Sequence, residues 1–253
     1  MSILANPFAR SRSRGAAAAG QAAILAPDGG AGVGAPVSIR VSPRARRIGL
    51  RVDAAERKIE LVLPQGVPAT RGLRFLTKHR GWIEARLAAL PPPSPFVEGA
   101  IVPVFGVPHR IRRELDAGAP PVAIADGEIR VRGEPSHLAR RVRDHLAMMA
   151  RDELGRRARD LALSIGRRVG RVTVRDTTSR WGSCSVRGNL SFSWRLVFAP
   201  GPVVDYVVAH EVAHLAEMNH GPRFWRLVES LAPGSATPRA WLKRHRNQLF
   251  SYG

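Results

Sequence analysis

Apolar and polar residues alternate along much of the first half of the chain. Between Val37 and Leu63, the segments VSIRVS, RIGLRV and KIELVL place Val, Ile or Leu at alternate positions, a period typical of half-buried strands. Between Thr70 and Leu90 the apolar residues instead recur at spacings of three, four and seven, and prolines fill positions 91–93. This second pattern predicts one helix that ends at the prolines.

Two further segments predict strands. IVPVFGVPHRIRREL (101–115) and PVAIADGEIRVRG (121–133) contain short apolar runs separated by glycine-containing turns. Residues 1–35 are rich in Ala, Gly and Arg without apolar periodicity, so we expect a disordered leader there. The remaining first half, residues 36–133, is interpreted as a β-rich N-terminal subdomain with its boundary near Gly133.

The second half, residues 134–253, has a more helical pattern. Ser136 opens a long amphipathic pattern that we expect to end near Gly166. The segment 171–175 (RVTVR) and the segment Asn189–Val197 (NLSFSWRLV) predict strands, and the second one alternates strictly. We expect one face of that strand to be core and the other to be available. Three later helices are expected to begin at prolines: Pro202, with an end at about Met218, then Pro222 and Pro238.

The segment HEVAH (210–214) carries the chemistry of the chain. Residues four apart on a helix are rotated by about 40° and rise by about 6 Å, so His210 and His214 present both imidazoles to one point. Glu211 is offset by about 100° and can reach a water on a metal held there, as a general base requires. The motif indicates a metal-dependent hydrolase. The structural alternative is a partly buried histidine pair that Glu211 and Asn219 stabilise.

A catalytic zinc needs a third protein ligand, and three residues are candidates. His220 qualifies only if the helix stops before it, and Asn219, Gly221 and Pro222 all favour such a stop. Glu229 in the next helix and Glu217, one turn beyond His214, are the other two candidates. A helix that ends near Asn219 favours His220.

The loop before the predicted strand 189–197 offers candidate substrate contacts. Trp181 is either a wall of the cleft or core, and Arg180 and Arg195 are either anion contacts or a solvated face. For Trp194 we expect a position in the core.

Residues around the motif can be assigned in the same way. We expect Cys184 to be small and buried rather than a ligand, and Tyr206 to pack in the core rather than to contact an oxyanion. Asp205 is either a partner of a ligand imidazole or a carboxylate at a helix N-terminus. Phe224 and Trp225 are expected to clamp the turn that carries His220.

Composition adds an expectation about partners. Lys and Arg total 40 against 20 Asp and Glu, a net charge of +20, which favours an anionic partner such as nucleic acid or a nucleotide at the basic surface. Only three of these cations are lysines, so part of the arginine excess can reflect a GC-rich genome. The single cysteine, Cys184, excludes an intramolecular disulfide and favours the cytoplasm. No export signal or apolar stretch of membrane length is visible, so we expect no membrane partner.

Residues 177–228, from TTSRWGSCS to the third histidine and RFWRLV, resemble the YgjP-like zinc metallopeptidase domain, which is related to the SprT-like and WLM-type zincins. The resemblance implies that His210, His214 and His220 are zinc ligands and that Glu211 is the catalytic base. It also implies an α+β fold class: a minimal zincin-like catalytic domain, with a small sheet and the HExxH helix, preceded by the β-rich subdomain. The strand 189–197 would then line up substrate beside the helix.

The expected function is therefore hydrolysis of a peptide or protein substrate with Zn²⁺, in which Glu211 activates the water. Two alternatives remain at this stage. One is a metal-dependent nucleotide or phosphoanhydride hydrolase, and the other is a basic nucleic-acid-associated protein with a zinc site.

Overall fold

The computed structural model describes residues 23–25, 34–54, 56–116 and 118–253. Contacts divide the chain into two units whose border lies between Pro92 and Pro93. That border differs from the boundary inferred near Gly133, which stays a prediction. The leader predicted over residues 1–35 lies largely outside the described residues, although β1 (Ala23–Leu25) falls within it.

The first unit is a four-stranded sheet with two helices. The sheet contains β1, β2 (Val37–Ser42), β3 (Gly49–Asp53) and β4 (Lys58–Pro64) in the order β1-β2-β4-β3. β2 and β4 are parallel, and the other pairs are antiparallel. The predicted alternation is confirmed on β4, where Ile59, Leu61 and Leu63 are buried.

The helix predicted between Thr70 and Leu90 is two helices, α1 (Ala69–Lys78) and α2 (Arg80–Ala88). The break lies at His79, whose backbone leaves the helical region and whose ring Nδ1 lies 2.8 Å from the Phe75 carbonyl. Leu76 on α1 and Ile83 on α2 nevertheless both pack into the core against the sheet. One apolar periodicity therefore continues across two helices.

The second unit begins with another four-stranded sheet and a long helix. The strands β5 (Ile101–Val104), β6 (Val107–Glu114), β7 (Val122–Ala125) and β8 (Glu128–Arg132) have the order β5-β6-β8-β7. The long helix is α3 (Leu138–Ser164), close to the predicted bounds. It buries one stripe of residues: Leu138, Val142, Leu146, Ala150, Leu154, Ala158 and Ala162.

A three-stranded sheet follows, with the order β10-β11-β9: β9 (Val172–Arg175), β10 (Gly182–Cys184) and β11 (Leu190–Ser193). The predicted strand 189–197 is too long, because residues Trp194–Phe198 form a 3₁₀ helix. The expected available face is also wrong, since Ser193 and Arg195 are buried. Arg195 is instead hydrogen-bonded to the Asp176 carboxylate and to the Tyr252 carbonyl.

Three helices complete the unit: α4 (Gly201–Ala213), α5 (Pro222–Leu231) and α6 (Ala236–Ser251). α4 packs against α3, α5, α6 and β10, and it ends five residues before the predicted Met218. The α+β fold class is confirmed. Among the described helices, none is long and apolar enough to cross a membrane.

Candidate metal centre

α4 carries HEVAH through the interior of the second unit. Apolar side chains cover all of its faces, and a helix of that composition is stable only when it is buried. His210 and Glu211 are consequently only 3% exposed each. Burial of a polar group costs free energy of folding unless the group forms a hydrogen bond or binds a ligand. The buried apolar side chains are Val203, Val204, Val207, Val208, Ala209, Val212 and Ala213.

The end of α4 brings the third histidine back. The helix stops at Ala213 and His214 is its C-cap residue, so His220 lies in a turn rather than farther along the same helix. Its Nε2 is 3.1 Å from the Nε2 of His210, and one ring nitrogen from each of the three histidines lies within 4.8 Å of the others. The predicted return of His220 is confirmed, although the helix ends earlier than Asn219.

Phe224 holds the three imidazoles together. Its fully buried ring lies 4.9 Å from the His210 ring, 4.5 Å from the His214 ring and 4.6 Å from the His220 ring, measured between centroids. The Trp225 ring is 5.8 Å from both His210 and His220. The predicted clamp is confirmed, and it comes from the first turn of α5.

One pair of nitrogen atoms has the spacing of two ligands on a tetrahedral metal. Two imidazole ligands at about 2.0–2.1 Å from a tetrahedral zinc lie about 3.3 Å apart, close to the 3.1 Å between His210 and His220. His214 Nδ1 lies 3.1 Å from the Glu217 carbonyl oxygen, a contact that fixes the ring and leaves Nε2 for a ligand bond. The buried His210 Nδ1 has no hydrogen-bond partner among the described residues.

The other two candidate ligands lie outside this group. Glu217 contributes its backbone carbonyl to His214, and it follows the end of the helix rather than lying one turn farther along it. The Glu229 carboxylate accepts hydrogen bonds from the backbone N–H groups of Gly234 and Ser235 and from the Ser235 hydroxyl. Both carboxylates are therefore absent from the described three-histidine cluster.

Burial keeps the histidines in the form that binds metal. It lowers the pKa of His210 to about 3, with the neighbouring His214 and His220 adding to the effect, and it also lowers the pKa values of His214 and His220. All three imidazoles are thus neutral near pH 7, which is the ligand form of histidine.

Glu211 lies under the backbone of β10. A Cβ atom built on Gly182 would be 2.5 Å from the Glu211 Cγ and 2.6 Å from its Oε1, so only glycine leaves room for the carboxylate. Burial raises the pKa of Glu211 to about 8, and the charge of Arg180 acts in the opposite direction. The strand next to Glu211 is β10, rather than the segment 189–197.

Sequence reasoning did not identify Gly182. The available signal was a glycine between Trp181 and Ser183 in a segment close to the strand, because an isolated glycine in a strand marks a close backbone approach. In a segment expected to be a loop, a glycine carries no such meaning.

Two of the candidate substrate contacts, Trp181 and Arg195, are buried. The Trp181 ring stacks on Phe250 at 5.1 Å. Trp194, which was expected in the core, is buried as predicted. Arg195 forms two hydrogen bonds with the Asp176 carboxylate, at 2.8 and 3.2 Å, and one of 2.7 Å with the Tyr252 carbonyl. Arg195 therefore ties Asp176 to the C-terminal residues, and it is neither a substrate-anion contact nor part of a solvated face. Arg180 remains exposed.

The remaining candidate residues near the motif are not part of the three-histidine cluster. Asp205 binds Arg157 at 2.6 Å rather than an imidazole. Tyr206 is buried, as predicted, and its hydroxyl lacks a hydrogen-bond partner among the described residues. Cys184 is half-buried rather than fully buried, and burial, followed by the charge of Glu211, raises the pKa of its thiol to about 11. A protonated thiol is a poor metal ligand.

The comparisons with known proteins give one positive result. A family model described as YgjP-like, metallopeptidase domain, matches residues 46–245. The match covers most of the chain and includes Glu211 and all three histidines of the cluster. No curated protein and no solved structure matches the chain.

Proposed function

We propose that this chain, which belongs to the YgjP-like metallopeptidase domain family, is a zinc-dependent peptidase. Its ligands would be His210, His214 and His220, and its general base would be Glu211. The observation that carries the proposal is the convergence of three neutral ring nitrogens within 4.8 Å next to a buried carboxylate.

Zinc, when bound, supplies a Lewis acid that polarises a peptide carbonyl and makes water more acidic. The three histidines would hold it with nitrogen atoms alone, which leaves a tetrahedral position for water or substrate. Structural zinc sites are instead closed by four protein ligands, usually including cysteine. Cys184 lies outside the described cluster, so the ligand set favours catalysis over a structural site.

Glu211 would accept the proton of the attacking water and deliver it to the leaving amine. Burial raises the pKa of Glu211 to about 8 in the metal-free protein, and the charge of bound zinc would lower it again. The carboxyl group would then titrate closer to neutral pH than an ordinary glutamate, as suits a residue that must both accept and donate a proton. Its position under β10 excludes bulk water from one side of the carboxylate.

β10 would align the substrate. It is an outer strand of its sheet and pairs with β11 on one side, so the backbone groups on its other side can pair with an extended peptide. Such a peptide would lie next to Glu211, because Gly182 contacts that residue.

We place the activity in the cytoplasm, because Cys184 is the single cysteine of the chain and has no cysteine partner.

One experiment tests this proposal directly. Zinc-loaded protein is incubated with a synthetic library of mixed-sequence peptides, and the products are identified by mass spectrometry. We expect cleavage at peptide bonds, and a fall of about 10²-fold or more in Glu211→Gln with its zinc content unchanged. The absence of peptide cleavage in zinc-loaded wild type would contradict the proposal.

A phosphoanhydride hydrolase is the second candidate, and one observation favours it. Six exposed arginines between residues 161 and 204 form no ion pair with another described residue. Guanidinium groups bind phosphate well. The six arginines are Arg167, Arg168, Arg171, Arg175, Arg180 and Arg187.

This candidate would be supported if the wild type turns over nucleoside triphosphates without cleaving peptides, and if Glu211→Gln abolishes that turnover.

A further inference from the structure

Arg180 lies close in the sequence to the strand residue that contacts the proposed base. It precedes the buried Trp181 and lies two residues before Gly182, whose backbone contacts the Glu211 side chain. The side chain of Arg180 is exposed. An exposed cation is therefore mounted two residues before the strand position that contacts the base.

The backbone on which Arg180 is mounted is well anchored. The Thr177 hydroxyl donates a hydrogen bond of 2.9 Å to the Arg180 carbonyl. The Trp181 carbonyl accepts one of 2.8 Å from the Ser193 N–H, while the Trp181 ring stacks on Phe250. Rigid support of this kind is what a specific binding residue needs, because a loose one loses more entropy on binding.

The Arg180 guanidinium forms no hydrogen bond or ion pair with another described residue. Arg180 has no carboxylate within 4.0 Å among the described residues, whereas Asp176, the acidic residue nearest to it in the sequence, is taken by Arg195. Arg195 shows what a structural arginine looks like in this unit: it is buried and hydrogen-bonded to Asp176 and to backbone carbonyls. Arg180 lacks those features and remains accessible to a ligand.

The chemistry of Glu211 assigns a side of the cleft to Arg180. A general base that returns its proton to the leaving amine must lie near the amide nitrogen. A long cationic side chain mounted near the base can therefore reach the part of the substrate that follows the scissile bond. Resting on the proposed peptidase function, we infer that Arg180 binds a substrate carboxylate on the C-terminal side of that bond. The carboxylate would be an Asp or Glu side chain or the free C-terminus, which arginine can bind through two parallel hydrogen bonds.

The inference predicts a selectivity that can be measured. Zinc-loaded wild type is given a mixed-sequence peptide library with free C-termini and the same library with C-terminal amides. We expect carboxylates to be enriched about tenfold among the first two positions after the cleaved bonds, equivalent to about 1.4 kcal/mol. In Arg180→Gln the enrichment should fall below about twofold while neutral peptides are still cleaved.

Charge reversal and a matched control make the test specific. Arg180→Glu should shift the preference at those positions to Lys and Arg, which a general loss of structure cannot do. Arg175→Gln removes an exposed arginine on β9, the strand separated from β10 by β11, and should keep the wild-type preference. The two libraries distinguish acidic side chains from the C-terminal carboxylate.

Two results would overturn the inference while leaving the peptidase proposal intact. One is a wild type that cleaves peptides without preference for a carboxylate after the bond. The other is an equal loss of turnover for acidic and neutral peptides in Arg180→Gln. Failure of zinc-loaded wild type to cleave any peptide would instead contradict both proposals.

Discussion

The backbone of Gly182 lies against the side chain of Glu211, so that a Cβ atom at residue 182 would be 2.5 Å from the Glu211 Cγ. This contact joins the outer strand β10 to the helix that carries HEVAH. It explains how a glutamate on an apolar helix is both buried and confined to one position.

We predict that Gly182→Ala lowers peptidase activity by at least tenfold. The added methyl group must displace the Glu211 side chain or the strand, and overpacking of this kind costs about 1–3 kcal/mol. Gly201→Ala is the matched control, because a Cβ there meets no atom within 4 Å. Denaturant unfolding and peptide turnover of both variants test the prediction, which an active Gly182→Ala protein would contradict.

We predict that the stability of the metal-free protein depends on the ionisation of Glu211. The folded state holds that proton up to a pKa of about 8, against 4.5 for an ordinary glutamate. The stabilising contribution is therefore fully present below about pH 4.5 and is lost as the pH rises to about 8. Relative to Glu211→Gln, wild type should lose up to about 1.4 kcal/mol per pH unit in that window.

Urea unfolding of both proteins with a chelator, at one-unit steps from pH 5 to pH 8, measures this difference. The titration of His210 is common to the two proteins and largely cancels in the comparison. Parallel stability curves would show that the carboxyl group is not held protonated in the folded state.

We predict that Phe224→Ala weakens zinc binding as well as the fold. The ring contacts all three imidazoles, so its removal should cost about 3–5 kcal/mol of stability and reduce zinc affinity about 10- to 100-fold. Val228→Ala removes another buried side chain of α5 and should leave zinc affinity within about twofold. Zinc affinity is measured by chelator competition. If Phe224→Ala and Val228→Ala lose the same affinity, Phe224 acts only through global stability.

We predict that Tyr206→Phe has almost no effect. The Tyr206 hydroxyl is buried without a partner among the described residues, and removal of an unsatisfied polar group is neutral or stabilising. Unfolding free energy should stay within about 1 kcal/mol of wild type, with peptide turnover unchanged. A loss of turnover at unchanged stability would instead assign the hydroxyl a role toward the oxyanion.

Local sequence signals predicted the parts of the site that depend on neighbouring residues. The spacing of His210 and His214, and the helix-breaking residues around His220, are properties of a few consecutive positions. They were sufficient to predict that the third imidazole returns to the first two. The strand alternation on β4 and the bounds of α3 were predictable for the same reason.

Contacts between distant segments decided what the sequence did not predict. The strand through Leu190 ends at Ser193 because Arg195 turns inward to Asp176 and to the Tyr252 carbonyl. The contact between Gly182 and Glu211 likewise joins a strand and a helix that are far apart in the sequence. No periodicity within either segment encodes such a pairing.

The metal content of purified protein tests the central claim that the three histidines form one zinc site. Mass spectrometric metal analysis with chelator competition should find about one zinc ion per wild-type chain and a loss of affinity of at least about 100-fold in His220→Ala. His109→Ala, which changes a histidine of β6 outside the described cluster, should bind zinc like wild type. Wild-type zinc affinity in His220→Ala would contradict the account.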